Sequence, residues 1–198
     1  MPPASAATEA ALSRLCVACG LCCNGVLFHI VRLQPADSAK ALAGQGMKLK
    51  RKRQQQHFHQ PCTFLKPGGC AIYADRPQRC RLFECRQIQK LRAEEVTEEE
   101  ATAAIREVQQ RVGQVESLLL QAGNQKVQQP LAERYGRVMA LPAEPQWEPE
   151  LHALQQSLRH QMHELNDLLN AEFRLQPIPL PSAALAGEPA AELEGEGS

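Results

Sequence analysis

Past residue 94 the chain becomes a run of evenly spaced apolar positions. Ala101, Ile105, Val108, Val112, Val115 and Leu119 recur at alternating steps of four and three, which lines them along one face of a 3.6-residue helix. Thr97, with Glu100 three positions on, supplies a capping box for its start, and the helix is expected to end near Gly123. A second stripe, Leu151, Leu154, Leu158, Met162, Leu165 and Leu169, follows Pro149, a residue suited to the first turn of a helix. Two helices with one apolar face each are covered most simply as an antiparallel hairpin, or against a partner protein. Between them Gln125 to Trp147, with Pro130, Pro142 and Pro145, reads as the linker that reverses the chain.

The front of the chain has no such period. Between residues 16 and 85 Gly20, Gly25, Gly44, Gly46, Pro61, Pro67, Gly68, Gly69 and Pro77 interrupt every apolar run, so only brief elements fit. Val26 to Leu33, VLFHIVRL, suits a short strand or buried turn, and Asp37 to Leu49 a helix weakened by its glycines. The polar stretch KLKRKRQQQHFHQ reads as an exposed loop or strand edge. Phe28, Phe58, Phe64, Tyr73 and Phe83 fall in this region, enough to wrap a small centre but too few for a sizeable core. A unit so poor in apolar material needs cross-links or metal to hold together.

The chain has 8 cysteines, all in that region: Cys16, Cys19, Cys22 and Cys23 in CVACGLCC, then Cys62, Cys70, Cys80 and Cys85. Thiols two residues apart let one tight turn aim several sulfurs at a point, as soft thiolate-loving centres require. A C-x2-C-x2-C run with a distant fourth cysteine is the ligand grammar of bacterial ferredoxins and their iron–sulfur clusters. Those proteins usually have proline after the distant cysteine, whereas here Pro61 precedes Cys62. Zinc would instead take two pairs in tetrahedral geometry. Adjacent Cys22 and Cys23 diverge, so one of them serves a second centre, stays free or packs inward. Eight thiols satisfy either two four-ligand sites or one site with spares.

Charge and compartment narrow the reading. The formal net charge is zero, yet residues 1–93 hold 15 Lys and Arg against 4 Asp and Glu, and residues 94–198 hold 7 against 18. Such a split suggests separate units, and the basic half favours bound thiolates. The opening MPPASAATEAALSRL has no basic start and no continuous apolar stretch, so no export signal or anchor is expected, and no run approaches the roughly 18 apolar residues of a membrane span. The expectation is a reducing cytoplasm, thiols free of disulfides, and no membrane partner.

CVACGLCC, followed by PCTFL at 61–65, GCAIY at 69–73 and RPQRCRLFEC at 76–85, resembles the CxxCxxCC (YkgJ) family of bacterial cysteine-cluster proteins over about residues 14–90. The resemblance implies chelation of zinc or iron, with the family's pattern falling on Cys16, Cys19, Cys22, Cys23, Cys62, Cys70 and Cys80, and with Cys85 a less general member. A similar cluster in flagellin lysine methylase is associated with iron–sulfur binding, which favours a [4Fe-4S] cluster over zinc. The helices after residue 94 lie outside this resemblance, and it implies no reaction.

The fold expected is thus mainly α: a disordered leader at 1–13, an irregular cysteine-rich metal-binding domain at 14–93, an antiparallel helical hairpin at 94–174 and a disordered acidic tail at 175–198. Weaker signals surround it. Arg76, Arg79 and Arg81 near Cys80 would tune a cluster or simply face solvent. Lys48, Lys50, Arg51, Lys52 and Arg53 form one basic run without an aromatic platform, a weak nucleic-acid signal. His57 and His59 precede Cys62 but are superfluous as ligands beside eight thiols. His160, His163, Glu164 and Asp167 read as an exposed helix face. No phosphate loop, nucleophile elbow or catalytic triad is present, so a metal binder is expected rather than an enzyme, and any catalysis would come from the cluster.

Overall fold

Residues 6–141 and 148–180 are described by the computed structural model. The first element already departs from expectation: α1 spans Ala6–Cys19, so the leader foreseen at 1–13 is helical from residue 6, and residues 1–5 lie outside the described part. Its signal was weak because five of its 14 residues are alanine, which gives little contrast between its faces. Even so, Ala11, Leu12 and Leu15 are buried, one face at three- and four-residue spacing. Arg14 grips the Glu98 carboxylate with two hydrogen bonds, Nε to Oε1 at 3.1 Å and Nη2 to Oε2 at 2.7 Å. Arg92 bridges Glu9 and Glu84. Gly20, at φ +65°, ends the helix in a left-handed conformation that glycine adopts without a Cβ penalty.

After the cysteine turn come β1 (Ile30–Arg32), α2 (Ala39–Gly44), β2 (Lys50–Lys52) and β3 (Gln55–His59). The sheet is antiparallel in the order β1-β3-β2, with Val31 opposite Phe58 and Arg51 opposite Gln56. The helix expected over Asp37 to Leu49 shrinks to α2: Ser38 Oγ accepts from Ala41 N at 3.2 Å at its start, and Gly46 at φ +102° turns the chain away. A two-residue-per-strand hairpin, β4 (Leu65–Lys66) with β5 (Gly69–Cys70), pairs Leu65 with Cys70. Then follow α3 (Gln78–Leu82) and α4 (Arg86–Arg92). Val31, Leu33, Leu42, Met47, Phe58 and Phe64 make a small core of their own.

The two long helices are α5 (Glu98–Gln121) and α7 (Glu148–Glu172), with α6 (Leu131–Met139) between them. The Thr97–Glu100 capping box forms in both directions, and all six apolar positions of the first stripe are buried. In the second, Leu158, Met162, Leu165 and Leu169 are buried and Leu151 and Leu154 half-buried. The pair is antiparallel: the end of α7 bonds α4, which leads into α5, through Arg86 N to Phe173 O at 3.0 Å. At the other end Gln155 Nε2 donates to Val138 O of α6 at 2.9 Å, and Arg134 of α6 faces Glu116 of α5.

Three expectations need correction here. The linker from Gln125 to Trp147 contains α6, whose Leu131, Arg134, Tyr135 and Val138 are buried; its remainder, 142–147, lies outside the described residues. The tail expected at 175–198 begins ordered, since Asn170 holds Ile178 through Ile178 N to Oδ1 at 3.0 Å and Nδ2 to Ile178 O at 3.3 Å, and Leu180 packs on the core. Residues 181–198 lie outside the described part. Nor do the two halves have separate interiors: Leu12, Leu15, Leu21, Val26, Leu27 and Ile88 share one large core with the apolar faces of α5 and α7. Among the described residues no helix is long and apolar enough to cross a membrane.

Candidate metal centre

The first four cysteines are placed by a helix end and the turn that leaves it. Cys16 and Cys19 lie on the last turn of α1, three residues apart and so on one face. Beyond Gly20 the chain winds tightly, with Cys23 N and Asn24 N both donating to Gly20 O at 2.9 Å. Leu21, fully buried in the large core, pins this turn down. Cys22 and Cys23 therefore leave it in different directions: Cys22 packs on the large core, while Cys23 O accepts from Cys62 N at 2.7 Å.

Each remote cysteine is brought in by its own device. Cys62 follows the cis Gln60–Pro61 bond and opens a turn closed by Leu65 N to Cys62 O at 3.0 Å. Cys70 sits on β5, and Gly69 before it, at φ +117°, lies so close to α1 that a Cβ there would come 2.6 Å from Val17 Cγ1. Glycine at this position is what lets the hairpin lie on α1 and carry Cys70 towards Cys16. Cys80 rides on α3, whose first amide, Gln78 N, donates to Asp37 Oδ1 at 2.7 Å while Asp37 Oδ2 accepts from Gln34 N at 2.8 Å. Cys85 is the N-cap residue of α4. Asp37 and Gly69 are positioning residues that the sequence reading passed over; PGG after a strand-like FLK, and an acid in the turn after Pro35, were the available signals.

Thiols of the group act electrostatically on their neighbours, as Cys85, Cys19, Cys16 and Cys23 do on Cys22 and Cys23, Cys62 and Cys70 do on Cys80, and all eight are free of disulfides. Burial is the largest influence on most of them and raises their pKa, pushing Cys19, Cys23 and Cys80 up to about 12 and Cys22 well above the ordinary range. Neighbouring sulfurs add to the rise, because a thiolate beside another is disfavoured. Cys16 is exposed by accessible area, yet protein crowds one side of it enough to raise its thiol as well. Against this, backbone amides face three sulfurs and favour the thiolate: Leu21 at Cys19, Phe64 and Leu65 at Cys62, Ile88 and Gln87 at Cys85. At Cys85 the amides stop short of a formal capping hydrogen bond.

Arg76 is the cation of the site. Its guanidinium lies 3.6 Å over the Tyr73 ring and draws down the thiols of Cys16, Cys23 and Cys80. Its Nε and Nη1 are buried without a hydrogen-bond partner, a costly state for a charged donor. Arg79 and Arg81 are exposed and belong to the solvated surface.

In its chemistry this donor set fits a thiolate-bound zinc or iron centre: soft ligands, amide donors to sulfur, and a half-buried cation with two buried, unused N–H groups that complement negative charge. In its geometry the set is gathered but open, for no three His, Cys, Asp or Glu side chains among the described residues are placed to hold one ion as they stand. An open cleft of about 920 Å³ between the end of α1 and the β4–β5 hairpin reaches Cys19, with Arg14, Val17, Leu65 and Lys66 on its walls.

The other candidates stay apart from the thiols. His57 and His59 are neighbours on β3, ring centroids 5.3 Å apart, and the charged groups acting on His59 are Lys50, His57, Glu133 and His29. Lys48 and Lys50 to Arg53 are exposed on the edge strand β2 and the turn after it. On α7, Glu164 pairs with Arg111 at 3.5 Å.

Residues 15–108 match the model of the CxxCxxCC family, described as a "Putative zinc- or iron-chelating domain". The match runs further than the motifs alone suggested, into the first half of α5. That extension has a structural reason, since α1 and α4 pack on α5. No curated protein and no solved structure matches the chain. Over residues 15–108, which hold all eight cysteines, the chain is thus similar to the CxxCxxCC family.

Proposed function

We propose that this domain binds a [4Fe-4S] cluster through its cysteine thiolates and serves as a one-electron carrier in the cytoplasm. The observation that carries the reading is the gathering of thiols as distant as Cys85 at the end of α1, beside a half-buried Arg76 whose buried Nε and Nη1 have no hydrogen-bond partner. The C-x2-C-x2-C run supports iron–sulfur over zinc, as do the amides facing Cys19 and Cys85, because hydrogen bonds to sulfur are a principal means of setting a cluster's potential. When bound, the cluster supplies reversible single-electron chemistry. The chain's own part is to hold the thiolates, offset their charge through Arg76 and leave the Cys19 cleft open to a redox partner.

The test is purification without oxygen followed by elemental analysis and an absorption spectrum. Iron and acid-labile sulfide in equal amounts, with broad visible absorption that bleaches on reduction, is the expected result. Zinc with a featureless visible spectrum would overturn it.

One observation favours a second reading, a zinc-stabilised adaptor: β2 is a fully exposed strand of Lys50, Arg51 and Lys52 at the sheet edge, a surface suited to phosphates. In that case the protein is colourless, and single-stranded RNA binds with an affinity that falls steeply with salt and is lost when these residues become glutamine.

A further inference from the structure

We infer that the eight cysteines form two four-thiolate centres rather than one site with spares: Cys16, Cys19, Cys22 and Cys85 make the first, and Cys23, Cys62, Cys70 and Cys80 the second. The inference rests on the reading above that these thiols bind metal, and goes beyond it by assigning every ligand.

Packing carries the division. Cys85 is buried within the large core, and Cys19 and Cys22 pack against it. Cys62, Cys70 and Cys80 pack against the small core of Val31, Leu33, Phe58 and Phe64. The cysteines thus line the seam between two hydrophobic clusters, with Phe28 touching both. Each set takes its outermost thiols from one side of that seam.

The two remaining cysteines are assigned by backbone. Cys23 joins the second set because its carbonyl is bonded to Cys62 N at 2.7 Å, on the segment that leads to the Leu65–Cys70 pair. That also resolves the conflict between adjacent cysteines: Cys22 and Cys23 diverge, one to each side. Cys16 joins the first set because it shares the last turn of α1 with Cys19. The thiols' mutual influence agrees in the main. Among thiols, Cys85 weighs most on Cys19 and Cys22, Cys62 on Cys23, and Cys23 on Cys80. Cys16 feels Cys70 most, although it is itself the thiol that acts on Cys85.

Each set matches a four-ligand centre in number and in chemistry. The first has three thiols in one C-x2-C-x2-C run and a remote fourth. The second draws its thiols from four segments, and its site lies beside Arg76.

Cobalt(II) titration of the reduced full-length chain, followed by thiolate-to-cobalt absorption, tests the division. The unaltered chain is expected to saturate at two equivalents, and Cys85→Ser or Cys80→Ser each at one. The pair Cys19→Ser/Cys85→Ser should still bind one, whereas Cys80→Ser/Cys85→Ser should bind none. Cys16→Ser should behave as Cys85→Ser does when combined with Cys80→Ser. Because a serine in either core is able to unfold the chain, alkylation of the unaltered protein at half-saturation accompanies the titration. Intact-mass spectra should show chains carrying four labels, mapped by peptides to one set or the other. Saturation at one equivalent, loss of the same equivalent in Cys80→Ser and Cys85→Ser, or four-label chains that mix the sets would overturn the division while leaving metal binding intact. No cobalt bound at all would overturn both.

Discussion

Gly69 lies against Val17 with no room for a side chain: a single carbon added to Gly69 would stand 2.6 Å from Val17 Cγ1. Through this contact a two-stranded hairpin lies flat on α1, and Cys70 comes within reach of Cys16. Gly69→Ala is expected to cost about 1–3 kcal/mol, from the clash and from the left-handed backbone at that position. Urea unfolding of the reduced protein measures it. Val17→Ala should recover the clash but not the backbone strain, so the double variant regains only part of the loss.

Arg76 should matter more to the loaded protein than to the empty one. Its Nε and Nη1 are buried without partners, so Arg76→Met removes an unsatisfied charge in the metal-free chain. The lost stacking on Tyr73 offsets that gain by about 0.5–1 kcal/mol, leaving thermal stability without metal nearly unchanged. With metal the thiolates lose their nearest cation, and cobalt affinity should fall about tenfold or more for each pKa unit by which the thiols rise. Equal losses in both states would contradict the role given to this guanidinium.

Stability should depend on pH in opposite senses with and without metal. Cys19, Cys23 and Cys80 are held at about 12 in the folded chain against an ordinary thiol value of 9.0. Between those values the unfolded chain releases protons that the folded chain keeps, so the metal-free protein is at full stability below pH 9 and weakens as pH climbs towards 12. Each such thiol contributes about 1.4 kcal/mol per pH unit in that window. Metal must displace these same protons, so the loaded protein loses metal as pH falls. Unfolding curves at pH 7, 8.5 and 10, with and without chelator, distinguish the two slopes.

Asp37 ties α3 to the turn before α2 through two short amide hydrogen bonds. Asp37→Ala leaves both donors unmatched and should cost about 1–3 kcal/mol. Since Cys80 rides on α3, its alkylation rate in the metal-free chain should rise several-fold while that of Cys85, on α4, stays constant. A parallel rise at both would mean general unfolding.

The long helices were legible because their signals are local. The alternation of threes and fours from Ala101 to Leu119 and the Thr97–Glu100 box involve residues within two turns of one another, and no distant contact is needed to read them. α6 was not legible for the same reason: it is short, and its buried face includes Arg134, 1% exposed, where an apolar residue would have announced a stripe. That arginine is tolerated because Asn124 Oδ1 and the Asn124 carbonyl accept from it at 3.4 Å and Glu116 stands opposite at 3.6 Å. The helix of Ala6–Cys19 was not legible because its faces differ little in hydrophobicity, and only docking on α4 and α5 buries Ala11, Leu12 and Leu15.

From the sequence alone came the list of sulfurs, the absence of an apolar run long enough for a membrane span, and the conflict between Cys22 and Cys23, since composition and spacing are properties of the chain in any conformation. Which thiols keep company was decided by tertiary structure. Cys85 lies in one hydrophobic cluster and Cys80 against another, although only four residues separate them, because α3 and α4 dock on different cores. Spacing measures distance along the chain; only packing converts it into distance between sulfurs.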